Sequence, residues 1–212
     1  MRKEQRRVWL SSLIVFFMMA VFCSACFAAN AGKQVVGIAW RADTDSEFFT
    51  NFCRAIEEAG SSWVMLPQVH SADLTCDKAG RLTSGVTNIG MLDDISAKYV
   101  RINTWHNSNA ADALSDVNIV IFTGGEDISP TLYYTPEEWH GIAAEIDYNA
   151  ERDVSDYLTM TYCLDHDIPI AGFCRGAQML GVVSGAEVIQ DIPAYFAEQS
   201  KPYKFEHRID NS

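Results

Sequence analysis

The chain has 212 residues, 48% apolar and 21% charged, with 16 basic against 28 acidic residues and a formal net charge of −12. That length suits one domain with a single sizeable core, and the residue balance excludes a disordered chain or a coiled coil. The acidic surplus repels phosphate backbones and anionic lipid, so nucleic acid is not an expected partner.

The first 31 residues read as an export signal, not as part of the fold. Arg2, Lys3, Arg6 and Arg7 precede an apolar run from Val8 to Phe27, broken only by Ser11, Ser12 and Ser24. Ala29-Asn30-Ala31 then fits an A-x-A cleavage site. The expectation is an exported protein, periplasmic or extracellular, free of the membrane after cleavage. The alternative is retention as an anchor, because the run approaches the ~20 residues a spanning helix needs. Cys26, preceded by Ser24-Ala25, makes a poor lipidation site. Cleavage takes four basic residues and Glu4 from the totals, leaving 12 basic and 27 acidic residues and a net charge of −15.

Gln34 to Trp40 predicts a buried strand. Thr44-Asp45-Ser46-Glu47 fits a capping box, and Phe48, Phe52, Ile56 and Ala59 follow at helical spacing until Gly60 stops the helix. Ser62 to Leu66 predicts a second strand, completing the opening unit of a parallel α/β sheet. From Pro67 to Leu114 the signals weaken, with helical hints at Leu92 to Tyr99 and Ala110 to Leu114. This stretch reads as an excursion on one edge of the sheet.

Order returns at Val117 to Phe122, a near-continuous apolar run suited to a strand covered on both faces. Asp147 to Asp165 carries helical periodicity through Val154, Tyr157, Leu158, Thr161 and Tyr162. Ile168 to Phe173 predicts a further strand, Arg175 to Val183 a helix, and Glu187 to Ile189 the start of one more strand. The alternation points to an open, doubly wound, mostly parallel sheet.

Two segments carry chemistry. Gly172-Phe173-Cys174-Arg175-Gly176 leaves a strand and opens a helix, the setting of a nucleophile elbow. A cysteine there has its thiolate favoured by the helix N-terminus, with backbone amides at hand for an oxyanion. An inert buried cysteine is the bland alternative. Thr123-Gly124-Gly125-Glu126-Asp127-Ile128-Ser129-Pro130 leaves another buried strand, and its paired glycines let the backbone turn an amide toward a neighbouring site.

TGGEDISP, then GFCRGAQML, then QDIP (Gln190 to Pro193) resemble the gamma-glutamyl hydrolase and gamma-glutamyl-gamma-aminobutyrate hydrolase group of class I glutamine amidotransferase-like enzymes. The likeness covers about residues 34 to 208, and Glu151-Arg152-Asp153 falls where that group carries an acidic and basic cluster. The resemblance implies a flavodoxin-like fold with Cys174 as nucleophile, the amides of Gly125 and Arg175 as oxyanion hole, and Gly124 and Gln178 against the glutamyl group. It implies a gamma-glutamyl thioester that water hydrolyses, a small gamma-glutamyl substrate, and no metal or organic cofactor. Alternatives are a glutaminase subunit of an amidotransferase, which export disfavours, and a catalytically dead binding protein.

In the group, the base is a histidine followed two residues later by glutamate, beyond QDIP. The histidines here are His70, His106, His140, His166 and His207, and none stands in that pattern. His207 is the tempting substitute, but the group has a separate histidine near that place. His106 and His166 read as solvated, and His140 as surface packing. The expectation is therefore a domain over residues 32–212 lacking its C-terminal part, with a second chain as a less favoured source of the missing piece. Cys53, Cys76, Cys163 and Cys174 have no C-x-x-C spacing, which argues against zinc. With Cys174 free, at most one disulfide is expected among the other three.

Overall fold

The computed structural model describes residues 34–136 and 146–203. The export segment, His140 and His207 lie outside the described residues. Four strands, β1 (Val35–Ile38), β2 (Ser62–Met65), β3 (Ile119–Phe122) and β4 (Ile170–Gly172), form an all-parallel sheet in the order β2-β1-β3-β4. The helices are α1 (Glu47–Glu58), α2 (Asp94–Asn103), α3 (Ala110–Ala113), α4 (Ala150–Asp165), α5 (Arg175–Val183) and α6 (Ile192–Glu198).

The alternation of side chains along β3 builds two separate cores. Ile119 and Ile121 join Val36 and Ile38 of β1 against Phe49, Cys53 and Ile56 of α1. Val120 and Phe122 face the other way, against Val154, Leu158 and Met160 of α4 and Met179 and Val182 of α5. Both faces are covered, so the strands are apolar throughout and the sheet is doubly wound, as expected. Because all strands run parallel, the turns that follow β3 and β4 leave from one edge, which places TGGEDISP beside GFCRG.

Several local expectations shift. The α1 cap is Ser46, whose hydroxyl accepts the Phe49 amide at 3.2 Å, and not Thr44. Its buried stripe runs through Phe49, Cys53 and Ile56, one residue off the predicted register at its start. Gly60, at φ 85°, does end the helix. Glu187 to Ile189 forms no strand. Asp191 instead caps α6 by accepting the Ala194 amide at 2.7 Å, so QDIP opens a helix.

The excursion after β2 is not confined to an edge. Leu66, Val69, Leu92, Ala97, Val100, Ala110 and Leu114 enter the same core as α4 and α5. Its backbone is tied down by polar side chains: Ser155 accepts the Val69 amide at 3.0 Å, Glu151 the Leu82 amide at 2.9 Å and Ser129 the Leu92 amide at 2.9 Å. The histidines predicted to be solvated are both exposed, and each also lays its ring against one indole. His106 stacks on Trp105 at 4.2 Å between ring centroids, and His166 meets the same indole at 4.8 Å. No helix among the described residues is long and apolar enough to cross a membrane.

Candidate active site

Cys174 sits between β4 and α5 with φ 51° and ψ −112°, a backbone conformation that side-chain-bearing residues rarely hold. Its neighbours explain how the turn closes. A Cβ on Gly172 would stand 2.7 Å from the backbone of Gly176, and one on Gly176 would stand 2.5 Å from the Phe122 carbonyl oxygen. Only glycine fits at either end, and the cysteine between them is left exposed at the N-terminus of α5. The elbow read from the sequence is therefore formed.

The Gly-Gly loop lies against it. A Cβ on Gly124 would be 3.3 Å from Cys174 Cβ and 3.7 Å from its Sγ. Gly125 is exposed, with φ 150°. Among the described residues, neither the Gly125 amide nor the Arg175 amide donates a hydrogen bond. Gln178 is exposed one turn into α5, and its own amide donates to the Cys174 carbonyl at 3.1 Å. The five residues singled out from the motifs thus lie on the elbow, its helix and the adjoining loop.

The side chain of Arg175 has a role that the motif did not reveal. It is fully buried and donates to the Glu126 and Asp127 carbonyls at 2.9 and 3.0 Å, while pairing with Asp153 at 2.7 Å and Asp156 at 3.2 Å. Arg152, also buried, donates to the Gly124 carbonyl at 2.9 Å and to the Thr123 carbonyl and hydroxyl at 3.3 Å. It also pairs with Glu126, and its Nε lies 3.5 Å from the Asp156 oxygen that Arg175 uses. Ser129 donates both its amide (3.0 Å) and its hydroxyl (2.5 Å) to Asp153.

Burial pushes the Asp153 and Asp156 carboxyls up, against the pull of Arg175, whose guanidinium the two acids hold firmly protonated. Burial also works to raise Glu126, yet its backbone hydrogen bond and Arg152 hold it below the usual carboxylate range. The Glu151-Arg152-Asp153 cluster therefore acts as scaffolding: each residue fastens a different segment to α4. No group of metal-ligating side chains occurs among the described residues.

Residues 99–211 match the peptidase C26 family. The chain belongs to that family. Curated relatives agree with the class I glutamine amidotransferase-like resemblance. RP404 of Rickettsia prowazekii, glutamine amidotransferase-like by name, is 41% identical over 83 residues, 39% of this chain and 28% of its own. NtpR of Enterococcus hirae is 33% identical over 86 residues, 41% of this chain and 34% of its own. YvdE of Lactococcus lactis, also glutamine amidotransferase-like by name, is 30% identical over 105 residues, 49% of this chain and 42% of its own. The chain spans less than half the length of each of these relatives.

Proposed function

We propose that the protein belongs to a thiol hydrolase of gamma-glutamyl amide bonds, with Cys174 as the nucleophile. The observation that carries this reading is an exposed Cys174 at the N-terminus of α5, packed against Gly124 of the Gly-Gly loop, with the Gly125 and Arg175 amides donating no hydrogen bond among the described residues. In the reaction, Sγ adds to the side-chain amide carbon and the C–N bond breaks. The amine leaves with the proton lost by the thiol, and water cleaves the thioester to glutamate. The two amides would bind the oxygen that becomes negative in each tetrahedral intermediate, where preorganised donors contribute most.

The base that takes the thiol proton is proposed to lie outside the described residues. His166 follows α4, at the opposite end of β4 from Cys174, and His106 packs on Trp105 beside it. His70 follows β2, three strands away across the sheet, or roughly 14 Å at the usual strand spacing. The substrate is proposed to be small, and the protein to be exported by its N-terminal segment.

Incubation with a glutamine-analogue chloromethyl ketone, followed by peptide mapping, tests the nucleophile. Selective labelling of Cys174 is expected, with none in Cys174→Ala. Equal labelling of all four described cysteines would end this reading and favour a binding protein that has lost its chemistry. Hydrolysis of gamma-glutamyl anilide alongside free glutamine then separates a general gamma-glutamyl hydrolase from a glutaminase.

A further inference from the structure

We infer that Arg152 is the positioning residue of the oxyanion hole, acting through the Gly124 carbonyl; this rests on the hydrolase reading above. A peptide unit is planar and trans, so the Gly124 carbonyl and the Gly125 N–H point in opposite directions. Arg152 Nη2 holds that carbonyl at 2.9 Å, which turns the Gly125 N–H away from the guanidinium. The loop meets Cys174 at Gly124, where an added Cβ would stand 3.3 Å from the cysteine Cβ.

Two glycines in succession leave this peptide almost no steric resistance to rotation. Turned over, it would present a carbonyl dipole where negative charge develops. A hydrogen bond must therefore supply what the missing side chains do not, and Arg152 is the group that makes it. A Cβ on Gly125 would collide with Arg152 Nη1, so the loop and the guanidinium are fitted to each other.

The guanidinium is itself immobilised. Glu126, steadied by Asn149 at 3.1 Å, takes Nη1, and Asp156 stands 3.5 Å from Nε. Asp156 also holds Arg175, whose own amide is the second donor of the proposed hole. One buried cluster thus sets both amides.

The test compares two alkylations of Cys174 in the full chain. Iodoacetamide reacts by direct displacement and needs no oxyanion site, whereas the glutamine-analogue chloromethyl ketone passes through a tetrahedral adduct. Arg152→Gln should slow the chloromethyl ketone about 10- to 100-fold, less than the roughly 100- to 1000-fold of losing an oxyanion donor outright, and leave iodoacetamide within about twofold. Glu126→Gln, which loosens Arg152 without removing a buried cation, should give a smaller fall in the same ratio and decides the matter if Arg152→Gln does not fold. An unchanged ratio in folded variants, or equal slowing of both reagents, overturns the positioning role alone. A wild-type chain that the chloromethyl ketone labels no faster than free cysteine overturns the hydrolase reading, and this inference with it.

Discussion

Gly124 lies under Cys174 so closely that a single added methyl group would stand 3.3 Å from the cysteine Cβ. The nucleophile's seat is shaped by what the neighbouring residue lacks. Gly124→Ala should therefore displace Sγ and block the approach of a planar amide. The expected outcome is loss of turnover of more than about tenfold with a melting temperature near wild type, since Gly124 is only half-buried and the nearest atoms are those of a side chain.

The φ of 51° at Cys174 predicts a conflict between stability and reactivity. Cys174→Gly removes the Cβ that makes this conformation costly, whereas Cys174→Ala keeps it. The glycine variant should be more stable than the alanine variant by about 1 kcal/mol, although both are inactive. Chemical denaturation of the pair measures the difference, and equal midpoints would mean that the turn holds no strain.

Thiol reactivity should follow burial. Burial pushes the Cys163 thiol up to about 12, so it stays protonated and unreactive at neutral pH. Cys53 is buried as well, and burial followed by the charge of Glu57 raises its thiol. Brief iodoacetamide treatment of the native chain should modify Cys174 first and leave Cys163 intact until the protein unfolds. Early modification of Cys163 would contradict the packing of α4.

Removing the Arg175 side chain should be severe. It is fully buried between Asp153 and Asp156, and its loss strands two carboxyls in the core. Arg175→Ala should cost about 3–5 kcal/mol, and adding Asp153→Asn should restore part of that. Additive losses in a double-mutant cycle would count against the coupling.

The acid dependence of stability carries a sign. The Glu126 carboxyl is held below its ordinary range in the fold, so its contribution is present above the unfolded value and fades as pH falls through the folded one. Asp153 and Asp156, raised by burial, act in the opposite direction. Comparing wild type with Glu126→Gln between about pH 5 and 3 isolates the Glu126 contribution. The wild type should lose stability more steeply on acidification.

The fold was legible where apolar runs and turn residues agreed. Ile119 to Phe122, Ile170 to Gly172 and the helix from Arg175 fell where the sequence put them, because buried strands and glycine-flanked turns leave strong local marks. The excursion after β2 was harder. Its core residues, such as Val69 and Leu92, stand in no regular period, and their amides are held by donating to the hydroxyls of Ser155 and Ser129, distant in sequence. Glu187 to Ile189 looked like a strand by residue type, but Asp191 captured the following backbone into a helix. The motif marked Cys174 and the two amides. It could not show that Arg152 and Arg175 fasten the loop, since charged residues in a helix ordinarily read as a solvated face, and only the third dimension turns them inward.

Asp156 Oδ2 serves Arg152 and Arg175 together, at 3.5 and 3.2 Å. The loop after β3 and the start of α5 therefore share a single keystone, and neither arginine is free to drift in descent without the other. Lineages that replace one should replace its companion and Asp156 as well, so the three positions are expected to be inherited as a block even where the surrounding surface diverges.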